Sequence, residues 1–227
     1  MQPLLEVDQL CVEFATRHGS LRALSDVSFG IAPGEVLGIV GESGAGKSLT
    51  GAAIIGLLQP PGRISDGRIV YDGQRIDNLS DDAMRRLRGR QIGSIFQDPM
   101  TALNPLLTIG DQLVETICTH LPLSETEAVA RAVSLLEETG ISAAAQRLAQ
   151  YPHQFSGGMR QRVVIALALA AGPRLLIADE PTTALDVTVQ RQIMELLAAV
   201  KARHRMSMLF ISHDLGVVGE IADEVVV

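Results

Sequence analysis

The sequence predicts an α/β fold with a mainly parallel sheet, and three observations carry that expectation. Short apolar runs suited to buried strands alternate with stretches of helical periodicity. One run, Val36-Leu37-Gly38-Ile39-Val40, leads into a glycine-rich loop and then a helix. Another, residues 175–178, ends in two carboxylates, Asp179 and Glu180, at the strand end where such sheets place their sites.

Leu5 and Val7, then Val27, Phe29 and Ile31 after Ser25, alternate with period two and read as strands. Pro33-Gly34 marks a turn before the apolar run at 36–40. The following helix is expected from Lys47 to about Leu58, closed by Pro60-Pro61-Gly62, and residues 67–71 with Asp72-Gly73 form a hairpin turn. The segment 98–157 differs in character and reads as a helical subdomain inserted into a core domain covering 1–227. Its helices are expected at 111–120 and 124–139. The second carries a capping box, Ser124-x-x-Glu127, then Ala128, Ala132, Leu135 and Leu136 at helical spacing, and Gly140 as its stop. The core resumes with the strand at 175–178 and a helix presenting Val189, Ile193, Leu196, Leu197 and Val200 on one face. A strand at 208–212 and a short helix from Leu215 follow.

With 227 residues, the chain is long enough for one large domain or a core with one insertion. A hydrophobic fraction of 47% excludes a disordered chain. Nineteen basic against 26 acidic residues leave a net charge of −7, which argues against a nucleic-acid backbone as main partner. No Trp, two Tyr and five Phe give little for stacking bases. The basic stretch Arg85, Arg86, Arg88 and Arg90 reads as a solvated helix end. Cys11 and Cys118 stand alone, so neither a disulfide framework nor a zinc site is expected, and the compartment reads as reducing. The longest apolar run, 163–171, falls far short of the ~20 residues a membrane helix needs. The N-terminal Met-Gln-Pro-Leu-Leu-Glu lacks the basic region of a secretory signal.

Gly41-Glu42-Ser43-Gly44-Ala45-Gly46-Lys47-Ser48 fits G-x-x-x-x-G-K-[ST] between a strand and a helix. Such glycines let successive N–H groups turn toward phosphate oxygens, and the helix N-terminus adds partial positive charge. Lys47 is placed for the β/γ-phosphates and Ser48 for Mg²⁺; with Leu49 these residues form the expected nucleotide-binding segment. Asp179 is the second expected Mg²⁺ partner, and Glu180 beside it can polarise a water for attack on the γ-phosphorus. Ser156-Gly157-Gly158 reads as an N-cap with two glycines before an apolar helix. It would compete with the phosphate loop for one position, a conflict resolved if it serves a nucleotide held by another chain.

The ordered set of the 41–48 loop, Gln97, Ser156-Gly157-Gly158, Asp179-Glu180, Ala184-Leu185-Asp186 and His213 resembles the ATP-binding subunit of ABC transporters over essentially the whole chain. The resemblance implies a P-loop NTPase core with a mainly parallel sheet, an N-terminal antiparallel β part and a helical insertion. It implies ATP and Mg²⁺ as ligands. By the resemblance Gln97, after a strand at 92–96, contacts Mg²⁺ or water and senses the membrane partner. Asp186 matches the family's D-loop aspartate, His213 the histidine that contacts the γ-phosphate, and Phe14 an aromatic that stacks on adenine. The common Leu-Ser-Gly-Gly-Gln signature is altered here to Phe155 and Met159 at its first and fifth positions, with Ser156 and both glycines intact. At Val225-Val226-Val227 the chain reaches an apparent strand where relatives continue, so a domain truncated at its C-terminus is expected.

The segments 95–105 and 151–162 are similar to the dipeptide/oligopeptide and nickel importer branch of that family. The resemblance implies the ATP-hydrolysing motor of a bacterial peptide importer, peripheral on the cytoplasmic face of the inner membrane. It would work through transmembrane permease subunits, in a head-to-tail dimer with an identical or paralogous ATP-binding subunit. A soluble ABC-type ATPase acting on DNA or ribosomes would show a second cassette, a coiled-coil insertion or a basic surface. A small-molecule kinase would leave Ser156-Gly157-Gly158 and His213 without roles.

Overall fold

The structure is a computed structural model that describes residues 2–17, 19–42, 44–183 and 185–227, so the expectation for Ser43 lies outside the described residues. The chain begins with β1 (Leu5–Thr16), β2 (Gly19–Ile31), β3 (Val36–Val40), α1 (Lys47–Ile54), β4 (Gly62–Tyr71), β5 (Gln74–Arg75), α2 (Asp81–Leu87) and β6 (Ile92–Ile95). Four helices follow, α3 (Pro99–Ala102), α4 (Ile109–His120), α5 (Glu125–Glu138) and α6 (Ala144–Arg147). A 3₁₀ turn at Pro152–Gln154 leads into α7 (Gly157–Leu169), β7 (Leu175–Asp179) and α8 (Val187–His204). The chain closes with β8 (Ser207–Ser212), α9 (Leu215–Gly219) and β9 (Glu224–Val226). These elements divide into two compact units, residues 1–88 with 207–227, and residues 89–206.

The first unit contains the antiparallel sheet β2-β1-β4-β5 and a parallel set in which β3 lies between β8 and β9. All five residues of β3 are buried, which is why its sequence is continuously apolar instead of alternating. In β1 the pairing with β2 shifts register between Val7 and Leu10 and again before Val12, and Gln9 adopts φ 49°. These bulges bring Leu10, Cys11 and Val12 into the core in succession. Helix α1 is shorter than its sequence suggests, because Gly56 at φ +65° turns the chain left-handed one residue beyond the cap. Asp72 and Gly73 both take positive φ, as the tight β4–β5 hairpin requires.

The basic stretch is not simply solvated. Arg88 donates to the carbonyls of Ile55 and Gly56 at 2.7 and 3.0 Å and pairs with Asp81, so it caps the C-terminal end of α1. Arg85, 71% exposed, matches the expectation of a surface cation paired loosely with Asp81 and Asp82.

In the second unit β6 and β7 run parallel, from Ile92 beside Leu175 to Ile95 beside Ala178. Helix α4 buries Ile109, Leu113 and Ile117, and α5 buries Ala128, Ala132, Leu135 and Leu136. The expected capping box opens α5: Glu127 accepts from the Ser124 N–H at 2.8 Å while Ser124 Oγ accepts from the Glu127 N–H. Thr108 and Asp111 form a second one on α4. Two arginines tie α5 to α7 in opposite senses. Arg131 of α5 donates to the Ala170 carbonyl at 2.6 Å, and Arg162 of α7 donates to the Thr139 carbonyl at 2.8 Å. Among the described residues, no helix is long and apolar enough to cross a membrane.

Candidate active site

In the first unit, the phosphate-type loop leaves the carboxyl end of β3. Gly44 and Gly46 take φ +85° and +91°, conformations costly for residues with a β-carbon. Gly46 also faces Leu24, whose Cδ2 occupies the space a β-carbon would need. Gly46 caps α1 without a side-chain hydrogen bond, at the helix N-terminus where partial positive charge favours an anion. Lys47 is 7% exposed, and its Nζ donates to the carbonyls of Gly41 and Glu42 at 2.7 and 2.8 Å. The cation is thus folded back over its own loop. The Ala45 N–H closes a turn on the Glu42 carbonyl, while Ser48 is exposed and Leu49 half-buried on the first turn of α1.

Strand β8 lies parallel to β3 with Val40 beside Ser212, so Gly41 and the exposed His213 leave neighbouring strands at the same end. His213 is followed by Asp214, which caps α9 by accepting from the Gly216 N–H at 2.8 Å. Phe14, at the far end of β1, is half-buried, and a β-carbon at Gly62 would sit 2.7 Å from its ring. The glycine therefore lets β4 pass close beneath the aromatic.

The second unit repeats this arrangement with β6 and β7. Because Ile95 pairs with Ala178, the residues that follow, including Gln97 and Asp179-Glu180, leave adjacent strand ends. Gln97 Nε2 donates to Glu180 Oε2 at 3.0 Å. Thr183 Oγ1 donates to the same oxygen at 2.8 Å. Glu180 itself sits at φ 47°, an unfavourable backbone for a non-glycine residue. Asp179, at the end of β7, is half-buried.

Ser156 and Asp186 stand at the N-termini of α7 and α8. Ser156 Oγ accepts from the Met159 N–H at 3.3 Å and Asp186 Oδ1 from the Val189 N–H at 3.0 Å, so each caps its own helix. The two termini touch: a β-carbon at Gly158 would sit 2.7 Å from Val189 Cγ1, and one at Gly157 3.9 Å from Leu185. Phe155 is buried, with the Arg147 guanidinium 5.6 Å from its ring centroid, so the altered first signature position serves the core. Arg160 holds the approach by donating to the Pro152 carbonyl at 2.8 Å.

Of the expected residues, the first unit thus groups 41, 42 and 44–49 with His213 and holds Phe14 on β1. The second groups Gln97 with Glu180, and Ser156, Gly157 and Gly158 with Asp186. Sequence reasoning missed Thr183 and placed Val189 only on the apolar face of α8. A hydroxyl three residues after a strand-end carboxylate was the available signal for Thr183. Among the described residues, no group of three or more His, Cys, Asp or Glu is gathered as a metal site would need. Ser48 in the first unit and Asp179 in the second each offer an oxygen of the hard type that Mg²⁺ takes.

The sequence matches the model of the ABC transporter family over residues 24–183. It is 52% identical to the oligopeptide transport ATP-binding protein OppD of Bacillus subtilis over 99% of this chain, and 51% identical to the dipeptide transport ATP-binding protein DppD of the same organism over 100% of this chain. The chain spans 63% of the former's length and 68% of the latter's. Among solved structures, a dimeric bacterial ABC transporter cassette superposes with a TM-score of 0.86 at 28% identity, covering 98% of this chain and 93% of that one. A dimeric post-hydrolysis cassette bound to ADP and Pi gives 0.83 at 29% identity, covering 94% and 89%.

Proposed function

We propose, for a chain that belongs to the ABC transporter family, that it is the ATP-hydrolysing subunit of a bacterial importer for dipeptides or oligopeptides. The observation that carries the hydrolytic reading is the Glu180 carboxylate at the end of β7, held by Gln97 and Thr183. The peptide class rests on identity of about one half to peptide-transport ATP-binding proteins over nearly the whole chain.

The first unit binds. Phosphate oxygens of ATP replace the Gly41 and Glu42 carbonyls as partners of Lys47, and the N–H groups that open α1 take the rest. Phe14 stacks on the adenine and His213 contacts the γ-phosphate. Ser48, Asp179 and Gln97 are the residues that would serve Mg²⁺, which would supply positive charge against that of the phosphates. The second unit hydrolyses and couples. Glu180 takes a proton from water as its oxygen attacks the γ-phosphorus and ADP leaves. Ser156, Gly157, Gly158 and Asp186 serve the nucleotide of a second ATP-binding subunit, identical or paralogous, in a head-to-tail dimer. Permease subunits hold the assembly at the cytoplasmic face of the membrane.

The test is reconstitution with the permease subunits in proteoliposomes. Magnesium-dependent release of phosphate, stimulated by a peptide and its binding protein, is the expected result. A chain that binds permeases but hydrolyses no ATP would overturn the reading.

A further inference from the structure

From the contacts of Glu180 we infer that Thr183 is a positioning residue for hydrolysis, an inference that rests on the reading of Glu180 as the base. Its hydroxyl donates to Glu180 Oε2 at 2.8 Å, a shorter bond than the 3.0 Å one from Gln97 Nε2 to the same oxygen. The two donors differ in where they come from. Gln97 reaches over from the exposed segment after β6, 83 residues away in sequence. Thr183 lies three residues downstream in the same turn, and its own N–H closes on the Glu180 carbonyl at 3.1 Å. Carboxylate and hydroxyl are therefore fixed to one another by a single closed turn.

That turn also explains the backbone of Glu180. A residue at φ 47° keeps such a conformation only where its surroundings over-determine it. Here the N–H and hydroxyl of Thr183 grip the carbonyl and the side chain of the same residue, and Pro181 and Thr182 between them are buried. Gln97 is exposed, and any turn of its amide toward a metal or a water would weaken its bond to Glu180. Thr183 then keeps the carboxylate plane in place, so the base stays aimed while the glutamine changes partner. A base displaced by a fraction of an ångström loses rate without losing substrate affinity.

The experiment compares Thr183→Val, which keeps shape and removes the hydroxyl, with Thr183→Ser, which restores it. Thr183→Val is expected to lower kcat about 10- to 100-fold with KM for ATP unchanged, and Thr183→Ser to stay near wild type. On a Glu180→Ala background, Thr183→Val should add no further loss, because nothing remains to aim. Wild-type kcat in Thr183→Val, equal losses in the Val and Ser variants, or a full additional loss on Glu180→Ala would each overturn the inference. Should Thr183→Val fail to fold, Thr183→Ala on the two backgrounds gives the same comparison. A wild-type chain without ATPase activity would instead overturn the reading of the base, and the inference with it.

Discussion

Val189 Cγ1 fills the space in which a β-carbon on Gly158 would lie, 2.7 Å from it, and so binds the starts of α7 and α8 together. The glycine is thereby required by packing as well as by any phosphate it meets. Gly158→Ala should destabilise the fold by about 1–3 kcal/mol, as overpacking does, with partial recovery when Val189→Ala is added. Gly157→Ala, whose nearest neighbour is at 3.9 Å, should leave stability unchanged. Urea unfolding of the four proteins is the measurement.

Lys47→Ala removes the buried cation bonded to Gly41 and Glu42. Nucleotide affinity should fall at least ~10-fold, the scale of a lost charge-assisted bond, which calorimetric titration with ATP and Mg²⁺ would read. Unchanged affinity would remove Lys47 from the phosphate site.

Glu180→Gln should keep ATP binding and lower hydrolysis by at least ~10²-fold, the scale of a general base. The variant should also accumulate an ATP-bound dimer. Near-wild-type turnover would sink the assignment of Glu180.

Ser156→Arg, on that background, should leave ATP binding to the monomer nearly intact and abolish the nucleotide-dependent dimer. Loss of the cap to Met159 costs about 1 kcal/mol, too little to unfold α7 by itself. Light scattering with and without ATP decides it, and a dimer that survives the arginine would reduce Ser156 to a helix cap.

His120 carries the pH prediction. Partial burial and the nearby Arg90 cation hold its imidazole below the ordinary value of 6.5, so the folded state resists its protonation. Its contribution to stability is fully present above about pH 6.5 and is lost as pH falls from there toward the lower folded value, where the unfolded chain binds the extra proton. Between pH 8 and pH 5, wild type should lose more unfolding free energy than His120→Gln. Parallel curves would refute this.

Much of the framework was legible in the sequence because its signals are local. The capping box at Ser124, the stop at Gly140, the run 36–40 and the glycine loop all act within a few residues of themselves. The long hairpin of β1 and β2 was only partly legible. Its bulges at Gln9 and Leu10 break the two-residue period, and the first half of β2 is exposed with little alternation to read. Arg88 was misread as solvated because its partners, Ile55 and Gly56, lie more than thirty residues away and are backbone carbonyls, which carry no side-chain signature. The grip of Gln97 and Thr183 on one oxygen of Glu180 was hidden for a related reason: strand pairing, not spacing, brings Gln97 there.

The opposed ties Arg131 to Ala170 and Arg162 to Thr139 fix each helix at the C-terminal end of the other. Sliding α5 along α7 in either direction would lengthen one of the two bonds, so the pair resists shear both ways. The two helices are therefore held in one register by bonds that a change of either arginine would release.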